Sequence, residues 1–330
     1  MLQTYRAVQC TALTGPDALA LVDLARPVLQ PDEVRIKIHA AGLGFPDLLM
    51  TRGEYQLKLD PPFVPGMEFA GEIIECGAGV VKWSRGDRVM AGGRGGAFAE
   101  EAVVPAAALT LLPPSLSYDE GACYRSAALT ALHALVDRGA MLASETLLVL
   151  GAAGGVGLAA VQLGKYLGGT VVGTGSSLEK RAAVLAAGAD YALDPAAPDF
   201  RDQVKALTGG KGVNLVFDPV GGALALAATR TLAWGGRYLI VGFASGVIPA
   251  FPANHALIKG YSILGLRAGE SGRRDPALAA QNNEKLARFA ADGIMRPPIS
   301  HRYTLACATD AFKAMEARMV IGRAIILPFG

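Results

Sequence analysis

The chain has 330 residues, of which 52% are hydrophobic and 18% charged, so it has ample material for a folded core and is not a disordered protein. The formal net charge of +2 gives no electrostatic reason to expect a nucleic acid or a membrane surface as a partner. No segment is long and apolar enough to span a bilayer, and the N-terminus lacks the pattern of a signal peptide. The four cysteines are scattered without a C-x-x-C motif, so we expect free thiols in the cytoplasm.

The first 120 residues show a pattern of short strands and turns. Residues 33–39 alternate polar and apolar side chains, as expected of a half-buried strand. Glycine and proline recur every few residues, which is typical of a compact, barrel-like β domain. Pro113 and Pro114 mark a boundary, after which Ser117 is the predicted N-cap of a helix, with Glu120 three residues further on.

Strands and helices alternate after this boundary. The predicted strands are 147–150, 170–174, a short one near 191, 213–218 and 237–241. The predicted helices are the one that follows Ser117 and runs through 122–128, and then 130–136, 156–167, 178–187, 199–207 and 222–231. Such alternation is typical of an α/β protein with a doubly wound parallel sheet. Beyond residue 265 the pattern weakens, and it predicts helices at 282–291 and 310–317 and a closing strand at 323–327.

A glycine-rich turn between the first of these strands and its helix carries the main functional signal. The sequence Ala152-Ala-Gly-Gly-Val-Gly157 is an A-x-G-x-x-G form of the dinucleotide-binding fingerprint. Gly154 leaves room for a pyrophosphate to approach the backbone, and Gly157 allows the helix to pack closely on the strand. The strand before and the helix and strand after favour this interpretation over a structural turn. The predicted contacts are Ala153, Gly154, Gly155, Val156 and Gly157, at the positive end of the helix dipole.

The end of the second strand predicts which cofactor is bound. NAD-specific sites place an acidic residue there to bind the ribose 2′-hydroxyl, but this chain has Ser176, followed by Lys180 and Arg181. A serine hydroxyl can donate to a 2′-phosphate and the two cations can neutralise it, so we predict NADPH. The alternative is that both cations belong to a solvated helix face.

Two later strand ends lie where ligands bind in open α/β sheets, beyond the carboxyl ends of the strands. They are Asp218-Pro-Val-Gly221 and Gly242-Phe-Ala-Ser-Gly246. Either could be an ordinary glycine-containing turn. We predict that both line the ribose and nicotinamide, through Val220, Gly242, Phe243 and Ser245.

Several motifs occur in the order found in one known family. They are Ala41–Leu49, Arg52–Tyr55, Val64–Gly71, Gly86–Val89, Leu129–Ala131, the glycine fingerprint, Asp218–Gly222 and Gly322–Ile326. Over almost its whole length, the chain resembles the zinc-independent quinone oxidoreductases (the zeta-crystallin group) of the medium-chain dehydrogenase/reductase superfamily.

The resemblance implies a domain organisation. It implies a GroES-like β-barrel domain in residues 1–120, an NADPH-binding Rossmann domain in residues 121–265, and a segment, residues 266–330, that returns to the GroES-like domain. It further implies an active-site cleft at their junction, a homodimer, and Arg318 as a further cofactor-binding residue.

Zinc is not expected. Zinc enzymes of this superfamily use a Cys in the first motif and a His in a Gly-His-Glu motif, where this chain has Gly44 and Met67. Residues 77–122 contain none of the cysteines of a structural zinc lobe, and the four histidines show no paired ligand spacing. His39 lies on the polar face of its strand and is predicted to be solvated. Without a metal to polarise an alcohol, alcohol oxidation is not expected.

The expected reaction is therefore hydride transfer from NADPH to a quinone or an α,β-unsaturated carbonyl compound. The product oxyanion needs hydrogen-bond donors. Tyr55 is the first candidate, because related enoyl reductases place a tyrosine here, although a tyrosine lining a loop is the alternative. Asp47 and Thr130 match family positions near the nicotinamide, but an acid at a helix start explains Asp47 nearly as well.

Departures from the family pattern mark the predicted substrate pocket. Gly44 stands where the family commonly has Asn, which widens the pocket or leaves space for a water. Arg125 is a cation that could bind an acidic substrate or pair with a carboxylate, and Arg267 precedes an alanine where relatives often carry Trp. The rival functions are an NADPH-dependent enoyl-thioester reductase, for which no convincing basic cluster is evident, and a cofactor-binding protein with little turnover.

Overall fold

The computed structural model describes residues 3–330. Its strands are β1 (Thr4–Cys10), β2 (Leu19–Ala25), β3 (Glu33–Leu43), β4 (Glu68–Cys76), β5 (Arg88–Gly92), β6 (Glu101–Pro105), β7 (Thr110–Leu111), β8 (Thr146–Val149), β9 (Thr170–Thr174), β10 (Tyr191–Leu193), β11 (Val213–Asp218), β12 (Leu232–Ile240), β13 (Ser262–Gly265), β14 (Ile299–Thr304) and β15 (Arg323–Leu327). Its helices are α1 (Phe45–Thr51), α2 (Tyr118–Leu132), α3 (Gly155–Tyr166), α4 (Leu178–Ala186), α5 (Phe200–Leu207), α6 (Gly222–Thr229), α7 (Ala253–Lys259), α8 (Ala268–Arg274), α9 (Pro276–Ala291) and α10 (Ala308–Glu316). None of the helices within residues 3–330 has the length and apolar character needed to cross a membrane.

Contacts within the chain divide it into two units, one of residues up to 126 with 297–330, and one of 127–296. The domain boundaries expected from the sequence are at residues 120 and 265. The first differs because α2 starts in the first unit and continues into the second without a break. The second differs because β13 pairs with β12, so that the chain through α8 and α9 stays with the second unit. The segment that returns to the first unit begins at residue 297.

The first unit is a β domain of mainly antiparallel strands. Its larger sheet has the order β14-β15-β3-β4-β5-β7, β6 also pairs with β3, and β1 pairs with β2 in a separate ladder. The alternation in β3 places Ile36 and Ile38 in the core, where both are fully buried. Phe98 and Phe312 meet edge to face in this core, with ring centroids 5.8 Å apart. Each such side chain contributes about 1.5–3 kcal/mol relative to an exposed one, so this core is the main source of the unit's stability.

The second unit is built on a parallel sheet with the strand order β10-β9-β8-β11-β12-β13. Numbered from the first strand of the unit, this is the 3-2-1-4-5-6 order of dinucleotide-binding sheets, with the switch point between β8 and β11. Leu148, Val216 and Phe217 are fully buried, because helices cover both faces of a sheet of this kind. The predicted α/β class, with its doubly wound parallel sheet, is confirmed.

Some predicted elements differ in their bounds. The predicted helices 122–128 and 130–136 are one helix, α2, which continues as a π-helical segment through His133–Arg138. The predicted helix at 282–291 begins earlier, at Pro276, where the Asp275 side chain accepts from the backbone N–H of Leu278. An aspartate followed by proline is a helix-start signal that the weak periodicity of this region obscured.

Candidate functional site

The glycine turn of the second unit is held in place by the end of the neighbouring strand. The Gly151 N–H donates to Thr174 Oγ1 at 3.0 Å, and the Ala152 N–H donates to the Thr174 carbonyl at 3.1 Å. Gly151 has φ = +56°, a conformation that favours glycine. The turn therefore has a fixed shape at the carboxyl ends of β8 and β9.

Gly154 and Gly157 are glycines for different reasons. A Cβ on Gly157 would lie 2.5 Å from the Gly151 carbonyl oxygen, so close packing of α3 on the turn requires glycine there. A Cβ on Gly154 would lie at an ordinary 3.5 Å from that oxygen, so no protein atom forbids a side chain. Gly154 is the N-cap of α3 and supplies no side-chain acceptor, and the first N–H groups of any helix lack intrahelical partners. The backbone at the helix start is therefore open, and its contact with a pyrophosphate stays a prediction.

Ser176 and Lys180 come together beyond the end of β9. Lys180 Nζ donates to Ser176 Oγ at 3.4 Å, and Ser176 is exposed. Ser177 caps α4 by accepting from the Lys180 N–H at 3.2 Å, which fixes the start of the helix. Arg181 instead donates from Nη1 to the Gly175 carbonyl oxygen at 2.8 Å and pairs with Asp194 at 3.2 Å. The hydroxyl and the ammonium thus lie together beyond the strand end, whereas the guanidinium braces the turn.

A buried carboxylate shapes the turn after β11. Asp218 Oδ1 accepts from the N–H groups of Val220 and Gly221 at 2.7 and 2.9 Å, and its Oδ2 accepts from Tyr238 Oη at 2.6 Å. Burial raises the pKa of Asp218, and these three donors oppose that rise. Sequence reasoning identified the turn but not this brace.

The turns after β11 and β12 are joined by backbone hydrogen bonds. The Ala244 N–H donates to the Pro219 carbonyl at 3.0 Å, and the Ser245 N–H donates to the Val220 carbonyl at 2.9 Å. A Cβ on Gly151 would lie 2.8 Å from Val220 Cγ2, so these turns also adjoin the glycine turn. The structure therefore brings together the predicted residues Val220, Gly242, Phe243 and Ser245, all half-buried, at the carboxyl edge of the sheet.

The first unit contains a buried charged centre. Arg323 on β15 forms an ion pair with Glu68 on β4, and both residues are buried. Glu68 Oε2 also accepts from the Ser126 N–H at 3.2 Å. Burial opposes the charge on Arg323, but Glu68 outweighs this effect and raises the pKa of the guanidinium. Burial likewise raises the pKa of the nearby Cys123 thiol to about 11.

Asp47 lies next to this centre and organises the start of α1. Its Oδ2 accepts from the Gly44 N–H at 2.8 Å, and its side chain is fully buried. Burial raises the pKa of Asp47 to about 7, against the effect of the Gly44 hydrogen bond. Within residues 3–330, neither Asp47 Oδ1 nor Arg323 Nε has a hydrogen-bond partner. The alternative that Asp47 is a helix-start acid is what the structure shows, and a direct part in catalysis stays a prediction.

The remaining predicted residues occupy varied environments. In the first unit, Tyr55 is half-buried in the loop after α1, and Arg125 is half-buried on α2, where burial lowers its pKa and Glu68 raises it. Arg318 is exposed with φ = +56° just after α10. In the second unit, Thr130 is half-buried near the end of α2.

Arg267 is exposed at the start of α8 in the second unit. His39 is not solvated as predicted: its ring stacks on Tyr118 with centroids 4.2 Å apart. Among the residues that the structure describes, no group of three or more His, Cys, Asp or Glu could hold a metal ion.

Sequence reasoning assigned no role to Glu68, Arg323 or Cys123. Glu68 and Arg323 lie inside motifs that carry the family resemblance, but those motifs do not indicate that the two charges pair with each other. The available signal was a charged residue at the first position of each of two strands, β4 and β15.

The strand order of the second unit and the glycine turn at its switch point define a dinucleotide-binding α/β protein. Residues 155–282 match the family model described as "Zinc-binding dehydrogenase", and residues 30–114 match "Alcohol dehydrogenase GroES-like domain". The quinone oxidoreductase-like protein 2 homolog of Nematostella vectensis is 37% identical over 98% of this chain and 89% of its own length.

Two solved structures show the same likeness. A quinone oxidoreductase of Pseudomonas syringae has a TM-score of 0.88 at 30% identity, covering 98% of this chain and 100% of that one. A mycobacterial protein solved with NADPH has a TM-score of 0.89 at 30% identity, with the same coverage. The chain therefore belongs to the medium-chain dehydrogenase/reductase superfamily, in its zinc-independent quinone oxidoreductase-like group. It is an oxidoreductase with a site for a nicotinamide cofactor.

Proposed function

We propose that the protein is a zinc-independent, NADPH-dependent reductase that transfers a hydride to a quinone or an α,β-unsaturated carbonyl compound. The observation that carries the proposal is the Ser176–Lys180 pair, 3.4 Å apart, at the strand end where an NAD-specific site has an acid. The mycobacterial relative solved with NADPH supports the same cofactor.

Residues of the second unit would hold this cofactor. The backbone from Ala153 to Gly157 would bind the pyrophosphate, and Ser176 with Lys180 would bind the 2′-phosphate. Arg181 would act on the phosphate through the turn that it braces, because its guanidinium already has two partners. The half-buried turns after β11 and β12 would line the ribose and nicotinamide. Arg318 stays a prediction from the family resemblance.

A bound nicotinamide supplies the hydride, so the chain's own residues have to orient the acceptor and stabilise its oxyanion. We assign the donor role to the Tyr55 hydroxyl, which is half-buried on a loop and so within reach of a ligand. The Thr130 hydroxyl is the second proposed donor. Asp47 has a positioning role, because its buried carboxylate holds the Gly44 N–H.

Zinc does not fit this chain, although one matching family model is named for it. Gly44 and Met67 stand where the zinc enzymes of the superfamily have ligands, and neither a glycine nor a thioether suits catalytic zinc. Glu68, next to Met67, is already paired with Arg323. We therefore assign no step of the reaction to a metal ion.

We also propose a homodimer formed through the edge of the second unit's sheet. The strand β13 is at the edge, and unpaired strand edges are natural pairing sites. Large apolar side chains are exposed nearby on β12 and α7, including Trp234 and Leu257 at 80% and 81% exposure. Ile263→Lys on β13 should convert the dimer to a monomer in light scattering. A wild-type monomer would refute this proposal.

The cytoplasm is the proposed compartment. It is supported by the four cysteines, which are all free thiols in the part of the chain that the structure describes. The proposed partner is thus a small-molecule acceptor in a reducing environment, with neither a nucleic acid nor a membrane.

The acceptor class is tested by following NADPH oxidation with phenanthrenequinone, a simple enone and an enoyl-CoA, and NADP⁺ reduction with a secondary alcohol. We expect turnover with the quinone or the enone, unchanged by a chelator. Turnover of the enoyl-CoA alone would instead identify an enoyl-thioester reductase. Tight NADPH binding without turnover of any acceptor would identify a cofactor-binding protein.

A further inference from the structure

His39 lies at an irregularity of β3 in the first unit. The register between β3 and β4 shifts between Ile38 and Ala40, so His39 has no partner residue on β4. A β-bulge of this kind leaves one residue unpaired and redirects its side chain. The half-buried His39 ring stacks on the ring of Tyr118, the first residue of α2, with centroids 4.2 Å apart and an angle of 11° between the planes. This pair of rings therefore joins the sheet to the start of α2.

The surroundings of the His39 ring favour its neutral form. The Nε2 atom is buried and has no hydrogen-bond partner within residues 3–330. A neutral imidazole can carry its proton on Nδ1 and leave Nε2 without a hydrogen, whereas the protonated ring has an N–H at both nitrogens. Protonation would therefore place a charged donor at a buried position without an acceptor, which is costly.

The charged groups around His39 act mainly in the same direction. Lys37 lies two residues before it on β3, and Glu72 on β4 is paired with both Lys37 and Arg88 of β5. On α2 the facing titratable group is the Tyr118 phenol, and Arg88 Cζ already lies 4.7 Å from the centroid of that ring. Burial lowers the pKa of His39 most, Lys37 and Arg88 lower it further, and Glu72 opposes them.

Other contacts hold the chain just before α2. Arg88 Nη2 donates to the Leu116 carbonyl oxygen at 2.9 Å. Ser117 and Glu120 form a capping box, in which the Ser117 N–H donates to Glu120 Oε2 at 2.8 Å and the Glu120 N–H donates to Ser117 Oγ at 3.2 Å. Of the side chains in these contacts and in the ring stack, His39 has the only type whose ordinary pKa lies between about 5 and 8. The stack is thus the contact that responds to pH in this range.

We propose that the His39–Tyr118 stack is a pH-sensitive contact, in which the neutral imidazole holds the start of α2 against the sheet and protonation releases it. The charged ring gains solvation by turning Nε2 towards water, and this movement breaks the stack. The folded pKa of His39 lies below its unfolded value near 6.5, so the contribution of the contact is full above about pH 6.5. It is lost as the pH falls from there through the folded pKa.

The test measures the His39 titration and the opening of the segment that it holds. In NMR spectra of the wild-type protein, the imidazole of His39 should titrate with a pKa below 6.5. Hydrogen exchange of peptides from residues 113–124, corrected for the intrinsic effect of pH, should lose protection at least about threefold between about pH 7.5 and pH 5.5. The midpoint of this loss should coincide with the measured pKa. In His39→Phe, which keeps a ring but cannot titrate, the protection should not change with pH.

His301→Phe is the matched control. His301 is also a half-buried histidine of the first unit and stacks on Tyr303 with centroids 6.0 Å apart, but it lies on β14. In this variant, peptides from residues 113–124 should respond to pH as they do in the wild type. A pKa of His39 at or above 6.5, or an equal loss of protection in His39→Phe and the wild type, would overturn the proposal. If His39→Phe does not fold, the wild-type pKa and its coincidence with the loss of protection decide the question.

Discussion

The carboxyl edge of the second unit's sheet, here called the cofactor edge, and the charged centre of the first unit differ in the chemical groups that form them. At the cofactor edge, backbone groups make most of the contacts, and Asp218 is satisfied by three donors. At the charged centre, side-chain charges from distant parts of the sequence meet in a buried site. There Asp47 Oδ1 and Arg323 Nε have no hydrogen-bond partner within the described residues.

This difference indicates which kind of substitution should disrupt each unit. The hydrogen bonds of a site formed by backbone groups do not depend on residue type. Such a site is therefore disrupted mainly by a substitution whose added side chain occupies space that the site needs. Buried charges fail when a partner is removed, because the remaining charge cannot be solvated. Substitutions that add a side chain at the cofactor edge, or remove a charge from the charged centre, test whether the two units differ in this way.

The largest effect is expected from Arg323→Met. It leaves Glu68 buried without its cation, so the free energy of unfolding should fall by about 3–5 kcal/mol in denaturant titrations. Arg6→Met is the control, because its pair with Glu100 spans the same kind of charges at 2.8 Å but Arg6 is 51% exposed. That variant should lose less than about 1 kcal/mol. Equal losses in the two variants would show that the buried centre is not special.

Gly157→Ala and Gly154→Ala should separate packing from ligand access in the glycine turn. The Gly157 variant forces a Cβ to 2.5 Å from the Gly151 carbonyl oxygen, so its stability should fall by about 1–3 kcal/mol. The Gly154 variant fits the fold and should keep its melting temperature but bind NADPH about 10-fold more weakly, because the methyl group occupies the approach of the pyrophosphate. Calorimetry and a binding titration would measure both. Weakened stability in Gly154→Ala would contradict this account.

Lys180→Met and Arg181→Met should differ in selectivity. In the proposed NADPH site, removing Lys180 would delete a charged hydrogen bond to the 2′-phosphate, so kcat/KM for NADPH should fall about 10-fold or more while that for NADH stays within about twofold. Removing Arg181 releases Gly175 and Asp194 and should lower both values by similar factors. Steady-state kinetics with one quinone would measure both cofactors. A NADPH-selective loss in the Arg181 variant alone would reverse the two roles.

The smallest effect concerns pH. The folded pKa of Asp47 is raised to about 7, so its stabilising contribution is full below the unfolded pKa near 3.8 and is lost as the pH rises through about 7. Between about pH 6 and 7.5 the wild type should therefore lose on the order of 1 kcal/mol relative to Asp47→Asn, which cannot titrate.

Glu145→Gln is the control for this pH effect. Burial raises the pKa of Glu145, but its bonds with Arg237 outweigh this and lower it, so its contribution is constant over that pH range. Urea titrations at each pH would show the difference. An identical pH profile for wild type and Asp47→Asn would contradict the assignment.

The sequence predicted the strands and turns at the carboxyl edge of the second unit's sheet well, because local geometry dictates their residues. Strand 170–174 and strand 213–218 were predicted with the bounds that the structure has. The glycine turn was predicted from the spacing of its glycines between a strand and a helix. The charged centre could not be predicted in the same way. Glu68 and Arg323 are 255 residues apart, and only the pairing of β15 and β4 with β3 brings their strands into one sheet. Short elements such as α7 and β13 were missed because a few residues carry little periodicity.

The proposed cofactor preference is tested by measuring kcat/KM of the wild-type protein for NADPH and for NADH with a single quinone in the presence of a chelator. The account predicts oxidation of both cofactors with at least about 10-fold preference for NADPH, because the 2′-phosphate gains charged hydrogen bonds from Ser176 and Lys180. A preference for NADH, or activity that disappears with the chelator, would contradict it.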